Sequence, residues 1–311
     1  MSLSLFSLSP PAFGIDIGSI QKSDVDFARA FDYCQTTVAK RFTAPHWRLR
    51  MRFSADEAKY RVAKKVIDDF CYKVVKERRQ TPRDGDNNTD LLSLFMNKKN
   101  TEGQDYDDEY LKDLMLNFVI AGRDTTANAL SWAFYALSSH HQVEETLAKE
   151  ISETFGDSDP TFEVKEMRYA TAFVSETLRL YPSVPKDPKN AVADDVLPDG
   201  TQIKAGDWIV YLPWVMGRLK SIWGEDCNDF KPERWLESDT KISPYTFTAF
   251  QAGPRSCLGQ DMAYLEMKVI TCMILQKYRL RLVPGQNITY QNNITLPMKD
   301  FSMMMTVERR T

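Results

Sequence analysis

FQAGPRSCLGQ, residues 250–260, is the stretch whose reading decides the fold. Cys257 stands just ahead of DMAYLEMKVITCMILQK, a run that reads as a helix from Leu258. That places the sulfur at the positive end of a helix dipole, where a thiolate is favoured. Gly253 and Gly259 let the backbone bend and come close to something flat, and Arg255 supplies a cation two residues from the sulfur. Two readings stand on these residues alone. One is a buried cysteine at a helix start, a common place for a free thiol. The other is a thiolate ligand on a loop built to face a planar group.

The second reading needs an axial thiolate, a close-packed loop and a positive partner for a propionate, and these are the parts that hold a haem. The segment resembles the haem-binding loop of the cytochrome P-450 monooxygenases, Phe-x-x-Gly-x-Arg-x-Cys-x-Gly. Phe250, Gly253, Arg255, Cys257 and Gly259 fill all five fixed positions. The resemblance implies haem b (iron protoporphyrin IX), with Cys257 as axial ligand of the iron and Arg255 on a propionate. It also implies a mainly α fold with small β-sheets, the cytochrome P-450 fold in part.

A second motif agrees. From Leu111 to Leu137 apolar residues occur almost all round, which predicts a buried helix. Inside it lies AGRDTT, residues 121–126. Gly122 in a helix interior costs about 1 kcal/mol relative to alanine, and a buried Asp124 costs more unless paired. Thr125 and Thr126 compete for backbone carbonyls, so a kink with a polar notch is expected; a capped break between two shorter helices is the plainer reading. In the family the matching pattern leaves room for dioxygen at the small pair, here Ala121 and Gly122. Asp124 and Thr125 would then relay protons as general acids.

Glu176 and Arg179 in ETLRLYP are three apart and share a helix face. As an exposed pair they would be worth under about 1 kcal/mol. The surrounding residues (Phe173, Val174, Leu178, Leu180) are apolar, however, and FKPERW supplies Arg234. The family's Glu-x-x-Arg pair, completed by an arginine from a Pro-Glu-Arg segment, gives Glu176, Arg179 and Arg234 a structural role.

Similarity of this kind extends from about residue 13 to the end; residues 1–12 are unassigned, and 13–311 read as the C-terminal portion of a single haem domain. AGRDTTANALSW, RLYPSVPKDPK, DDVLPDGT and MGRLKSIWGEDCNDFKPERW resemble the fatty-acid ω-hydroxylase branch. Lys189 stands where many relatives place a propionate-binding arginine; lysine keeps the charge and loses the fork. The family's early helices and part of its first sheet find no counterpart, so an N-terminally truncated chain is expected, without the anchor that holds full-length relatives on the cytosolic face of the endoplasmic reticulum membrane.

The bulk numbers fit. With 311 residues and 43% hydrophobic content the chain can bury a substantial core, and a net charge of -3 argues against nucleic acid as a partner. Its five cysteines are odd in number with no Cys-x-x-Cys pair, which disfavours a zinc site or a disulfide framework. Helices are expected over about residues 24–41, 54–79 (with Ser54 and Glu57 as a capping box), 107–139, 142–155 and 164–181. Residues 81–90 read as a loop, 191–197 and 201–213 as a hairpin about Asp199-Gly200, and the tail carries strand-like pieces around Pro284-Gly285. The alternation of apolar and basic residues over 47–53 is either a membrane-surface contact or a solvated connector. His140 and His141 mark a helix end.

The activity so implied inserts one atom of O2 into a C–H bond of an apolar substrate, with electrons from NADPH through a reductase. Two alternatives stay open: a haem-thiolate isomerase or dehydratase, against which the intact AGRDTT argues, and a non-catalytic fragment with exposed apolar surface.

Overall fold

The computed structural model describes residues 26–44, 46–47, 49, 54–80, 90–237, 242–291 and 293–310. The opening segment, most of 47–53 and the loop 81–89 lie outside the described residues, as do the readings placed on them. The chain is mainly helical with small antiparallel sheets, and it divides into two compact units between Ala127 and Asn128.

The first unit contains α1 (Asp26–Thr43), α2 (Ala55–Gln80), α3 (Leu91–Met96) and the opening turns of α4 (Asp108–Ser139). The Ser54 hydroxyl accepts from the Glu57 N–H at 3.1 Å, the forward half of the expected box. Asp90 caps α3 and Asp107 caps α4 through the Ser93 and Tyr110 N–H groups. The core is an apolar layer of Phe27, Phe31, Val74, Val75, Leu111 and Met115. Burial pushes the Cys71 thiol within it up to about 12.

The expectation that α4 is buried all round holds only for its second half. Asp113, Asn117, Ile120 and Ala121 form an exposed stripe at helical spacing, whereas Arg123 to Ser138 contains no exposed residue. Nor does AGRDTT break the helix. Every residue from 108 to 139 is helical, and Thr125 Oγ1 donates to the Ala121 carbonyl at 2.5 Å, a back-bond made within the helix.

The second unit carries the rest of α4, α5 (His141–Phe155), α6 (Arg168–Leu180), the short helices α7 (Pro213–Met216) and α8 (Lys220–Trp223), and α9 (Gln260–Lys277). Its core joins Leu147, Ile151, Phe173, Val174, Leu178 and Leu275. His140 does mark a helix end, its ring Nδ1 2.7 Å from the Ala136 carbonyl oxygen. The helix expected from residue 164 begins at Arg168. A 3-10 turn occupies Phe162–Glu166 and Met167 is extended, because the free N–H groups of Tyr169 and Ala170 are taken by the Glu150 carboxylate of α5 at 2.8 Å each.

The expected hairpin does turn at Asp199-Gly200, where Gly200 has φ 88° and Asp199 accepts from the Thr201 N–H. Its ladder, though, is in two pieces. β2 (Asp195–Val196) pairs with β3 (Gln202–Ile203), and beyond an irregular stretch β4 (Trp208–Tyr211) pairs with β1 (Asp187–Asn190), which the sequence did not mark as a strand. Pro188 explains that omission; it belongs on an edge strand and masks the pattern. In the tail β5 (Tyr278–Leu282) pairs with β6 (Met305–Arg309).

Buried Glu144 on α5 ties this last hairpin down. It accepts from Arg281 at 2.6 Å and Arg310 at 2.7 Å. Glu144→Ala should leave two guanidinium groups without that partner and lower stability by about 3 kcal/mol, read as a drop in the urea unfolding midpoint.

Candidate functional site

The Cys257 loop, within the second unit, is built from two 3-10 turns, Thr248–Phe250 and Gly253–Arg255. It closes on itself through the Cys257 N–H, which donates to the Phe250 carbonyl at 2.9 Å. The Phe250 ring packs 5.3 Å from Tyr264 of α9, whose hydroxyl pairs with Ser175 of α6 at 2.8 Å. Gly253 has φ 71°, a conformation that favours glycine. α9 starts at Gln260, two residues later than expected, with Gly259 as N-cap. Leu258 is 100% exposed.

Cys257 is exposed, unlike Cys71, Cys227 and Cys272, which are buried, and Cys34, which is half-buried. Burial raises the thiols of Cys34, Cys71 and Cys272, the last to about 12, so these stay protonated at neutral pH. A Cβ at Gly259 would lie 3.9 Å from the Cys257 sulfur, so the glycine leaves one side of the thiol bare. Arg255 is exposed and makes no hydrogen bond or ion pair among the described residues. An open soft donor, a bare backbone beside it and an uncommitted guanidinium fit a planar, acidic, iron-bearing group. Lys189 is on β1 with its ammonium 2.9 Å from Asp187.

The scaffold of this unit is a buried charge cluster. Glu176 and Arg179 have side chains 0% exposed, and all five guanidinium N–H groups of Arg179 are used. Nε and one Nη2 hydrogen go to Glu176 at 2.7 and 2.8 Å; the others reach the carbonyls of Gly217, Cys227 and Asp229. Glu176 accepts in addition from the Lys231 N–H, Arg234 Nε and Trp235 Nε1, at 2.7, 3.0 and 2.9 Å. Sequence reading missed Trp235 and Gly217. A Cβ at Gly217 would come 2.1 Å from the Arg179 carbonyl oxygen, so that position admits only glycine. The neighbouring Arg218 stacks 3.7 Å over Trp214, and burial lowers its guanidinium to about 10.

The polar notch of α4 is within the first unit. Asp124 is 6% exposed, and Arg123 Nη1 is 3.4 Å from it and 2.7 Å from Asp32. Burial raises the Asp124 carboxyl above its ordinary 3.8, against the lowering pull of Arg123 and of a hydrogen bond from Gln35. Thr125 lies one residue on, with Ala121 and Gly122 one turn back on the same helix. Gln35, Arg123 and Asp32 were not legible as partners, since Asp32 and Gln35 come from α1, some ninety residues upstream. Among the described residues no group of His, Cys, Asp and Glu is arranged to hold a metal ion, and no helix is long and apolar enough to cross a membrane.

A carboxyl whose pKa rises on folding makes the folded chain bind more protons than the unfolded one. Stability then falls as pH climbs upward from 3.8 through the raised value. Asp124→Asn should therefore unfold at no lower urea concentration than the parent at about pH 7, and it should lose less stability between about pH 4 and about pH 7.

The family model described as Cytochrome P450 matches residues 5–305. The chain is 38% identical to "Cytochrome P450 704C1" of Pinus taeda, over 100% of this chain and 66% of the relative. It is 37% identical to "Cytochrome P450 86B1" of Arabidopsis thaliana, over 96% and 58%, and 36% identical to "Cytochrome P450 94A1" of Vicia sativa, over 86% and 54%. It thus spans between 54% and 66% of the length of these curated relatives.

Proposed function

We propose that this chain, which belongs to the cytochrome P450 family, holds a haem through Cys257 and serves as a haem-thiolate monooxygenase on an apolar substrate. The observation that carries the proposal is the Cys257 loop: an exposed thiol on a closed turn, with a bare Gly259 beside it and an uncommitted Arg255. The haem, when bound, supplies dioxygen activation, with one oxygen atom entering a C–H bond and the other leaving as water. The residues of the chain do the rest. Cys257 would hold the iron through its thiolate, and Arg255 and Lys189 would offer cations to the propionates. Phe250, Gly253 and Gly259 shape the loop.

Asp124 and Thr125 hold and move protons, at a carboxyl and at a hydroxyl on consecutive residues of α4. The raised carboxyl suits this work, because it brings the group closer to the pH at which it can both take and give a proton. Thr125 donates to the Ala121 carbonyl one turn back on the same helix. Glu176, Arg179 and Arg234 keep a structural role. On the resemblance of AGRDTTANALSW and MGRLKSIWGEDCNDFKPERW to the ω-hydroxylase branch, the substrate is a fatty acid oxidised at or near its terminal carbon. Electrons would come from NADPH through a reductase at the cytosolic face of the endoplasmic reticulum membrane.

The chain reconstituted with haem, reduced and exposed to carbon monoxide should show the red-shifted Soret band of a thiolate ligand. Cys257→Ala should lose it; a thiolate band that survives in this variant would overturn the ligand assignment. Asp124→Asn should keep the band and turn over fatty acid about a hundredfold more slowly. Unchanged turnover would remove Asp124 from the proton path.

A further inference from the structure

Gln251 follows Phe250, the residue whose carbonyl closes the Cys257 loop, and its backbone has φ 66°. A non-glycine residue in that region carries a steric cost and persists only when its surroundings hold it there. Its side chain shows what does. Gln251 Nε2 donates to Asp187 Oδ2 on β1, and its Oε1 contacts the hydroxyl of Tyr211 on β4. The Tyr211 hydroxyl donates to the same Asp187 oxygen at 2.6 Å, and Lys189 Nζ does so at 2.9 Å. Asp187 and Tyr211 are directly opposed in the antiparallel ladder.

Burial alone would raise the Asp187 carboxyl. The bonds from Tyr211, Lys189 and Gln251 outweigh that and leave it below its ordinary range. The acceptor is therefore charged, and hydrogen bonds to a charged acceptor are the stronger kind.

We propose that Asp187, Tyr211 and Gln251 are positioning residues that anchor the β1–β4 pair to the entry of the Cys257 loop and so set where the thiol points. This rests on the reading of Cys257 as the haem ligand and deepens it. The anchor acts one residue from the loop-closing carbonyl. Losing it frees Gln251 to leave its unfavourable φ, and the Phe250 carbonyl turns away from the Cys257 N–H.

The test is hydrogen exchange of the Cys257 amide in the full 311-residue chain, before and after haem is supplied, in Tyr211→Phe, Asp187→Ala and Gln251→Gly. The glycine variant removes the anchor without the backbone penalty. Tyr211→Phe and Asp187→Ala should speed exchange at Cys257 by about tenfold, and Gln251→Gly by less because glycine holds that φ without strain, while amides of α6 keep their protection. After reduction with carbon monoxide, each should also shift part of the Soret absorbance from the thiolate to the neutral-thiol position. Asp187→Asn, which keeps one acceptor oxygen, should fall between. Unchanged exchange in all variants overturns the proposal even where haem binds, as does an equal rise at α6, which reports general loosening. A rise confined to the loop upholds the anchoring in a chain that takes up no haem; that outcome removes the ligand reading and with it the role toward a thiolate.

Discussion

Arg179 can be buried because every one of its N–H groups has an acceptor, and the second unit is arranged around that requirement. A guanidinium taken out of water costs several kcal/mol unless it is paired and fully hydrogen-bonded. Glu176 supplies the charge from one turn earlier on the same helix. The carbonyls of Gly217, Cys227 and Asp229 supply the remaining acceptors from a stretch with almost no regular structure. That irregular stretch is thereby given a single conformation, since its peptide groups are the ones the buried cation needs. Gly217 belongs to the same constraint: its backbone lies so near the Arg179 main chain that no side chain fits between them.

The thiol loop is reached from this cluster in a few steps. Trp235 donates to Glu176, and its ring meets Phe247 at 4.8 Å. Phe247 leads into the turn at Thr248–Phe250, and Phe250 closes on Cys257. A second tether comes from the sheet through Gln251 and a third from α6 through Ser175, Tyr264 and Phe250. The loop carries no buried apolar residue of its own. Its shape is held from outside, which is how a segment can stay exposed and still present one donor in one direction.

The parts legible in the sequence were those with local causes. The 3.6-residue period marked the main helices to within a few residues, Asp199-Gly200 marked its turn, and the five fixed residues about Cys257 marked the loop. Other features had no local cause. Glu150 stops α6 from starting at residue 164 by taking two N–H groups across a helix pair. Pro188 hides β1, which exists because Trp208–Tyr211 needs a partner. The break read as one alternative at AGRDTT did not form: the segment stays helical throughout, and the Thr125 hydroxyl donates to the Ala121 carbonyl inside the helix.

Sequence by itself determined that the chain is mainly helical, that it belongs with proteins bearing the Phe-x-x-Gly-x-Arg-x-Cys-x-Gly loop, and which side chains are candidates for chemistry. It could do so because residue type and spacing act at short range. Only the tertiary structure decided that Cys257 is open while three other cysteines are buried, that Asp124 is desolvated beside Arg123 and Gln35, and that Gln251 is held by Asp187 and Tyr211. Exposure, dielectric and hydrogen-bond partners are properties of what surrounds a residue, and, Arg123 apart, the partners named here lie tens of positions away along the chain.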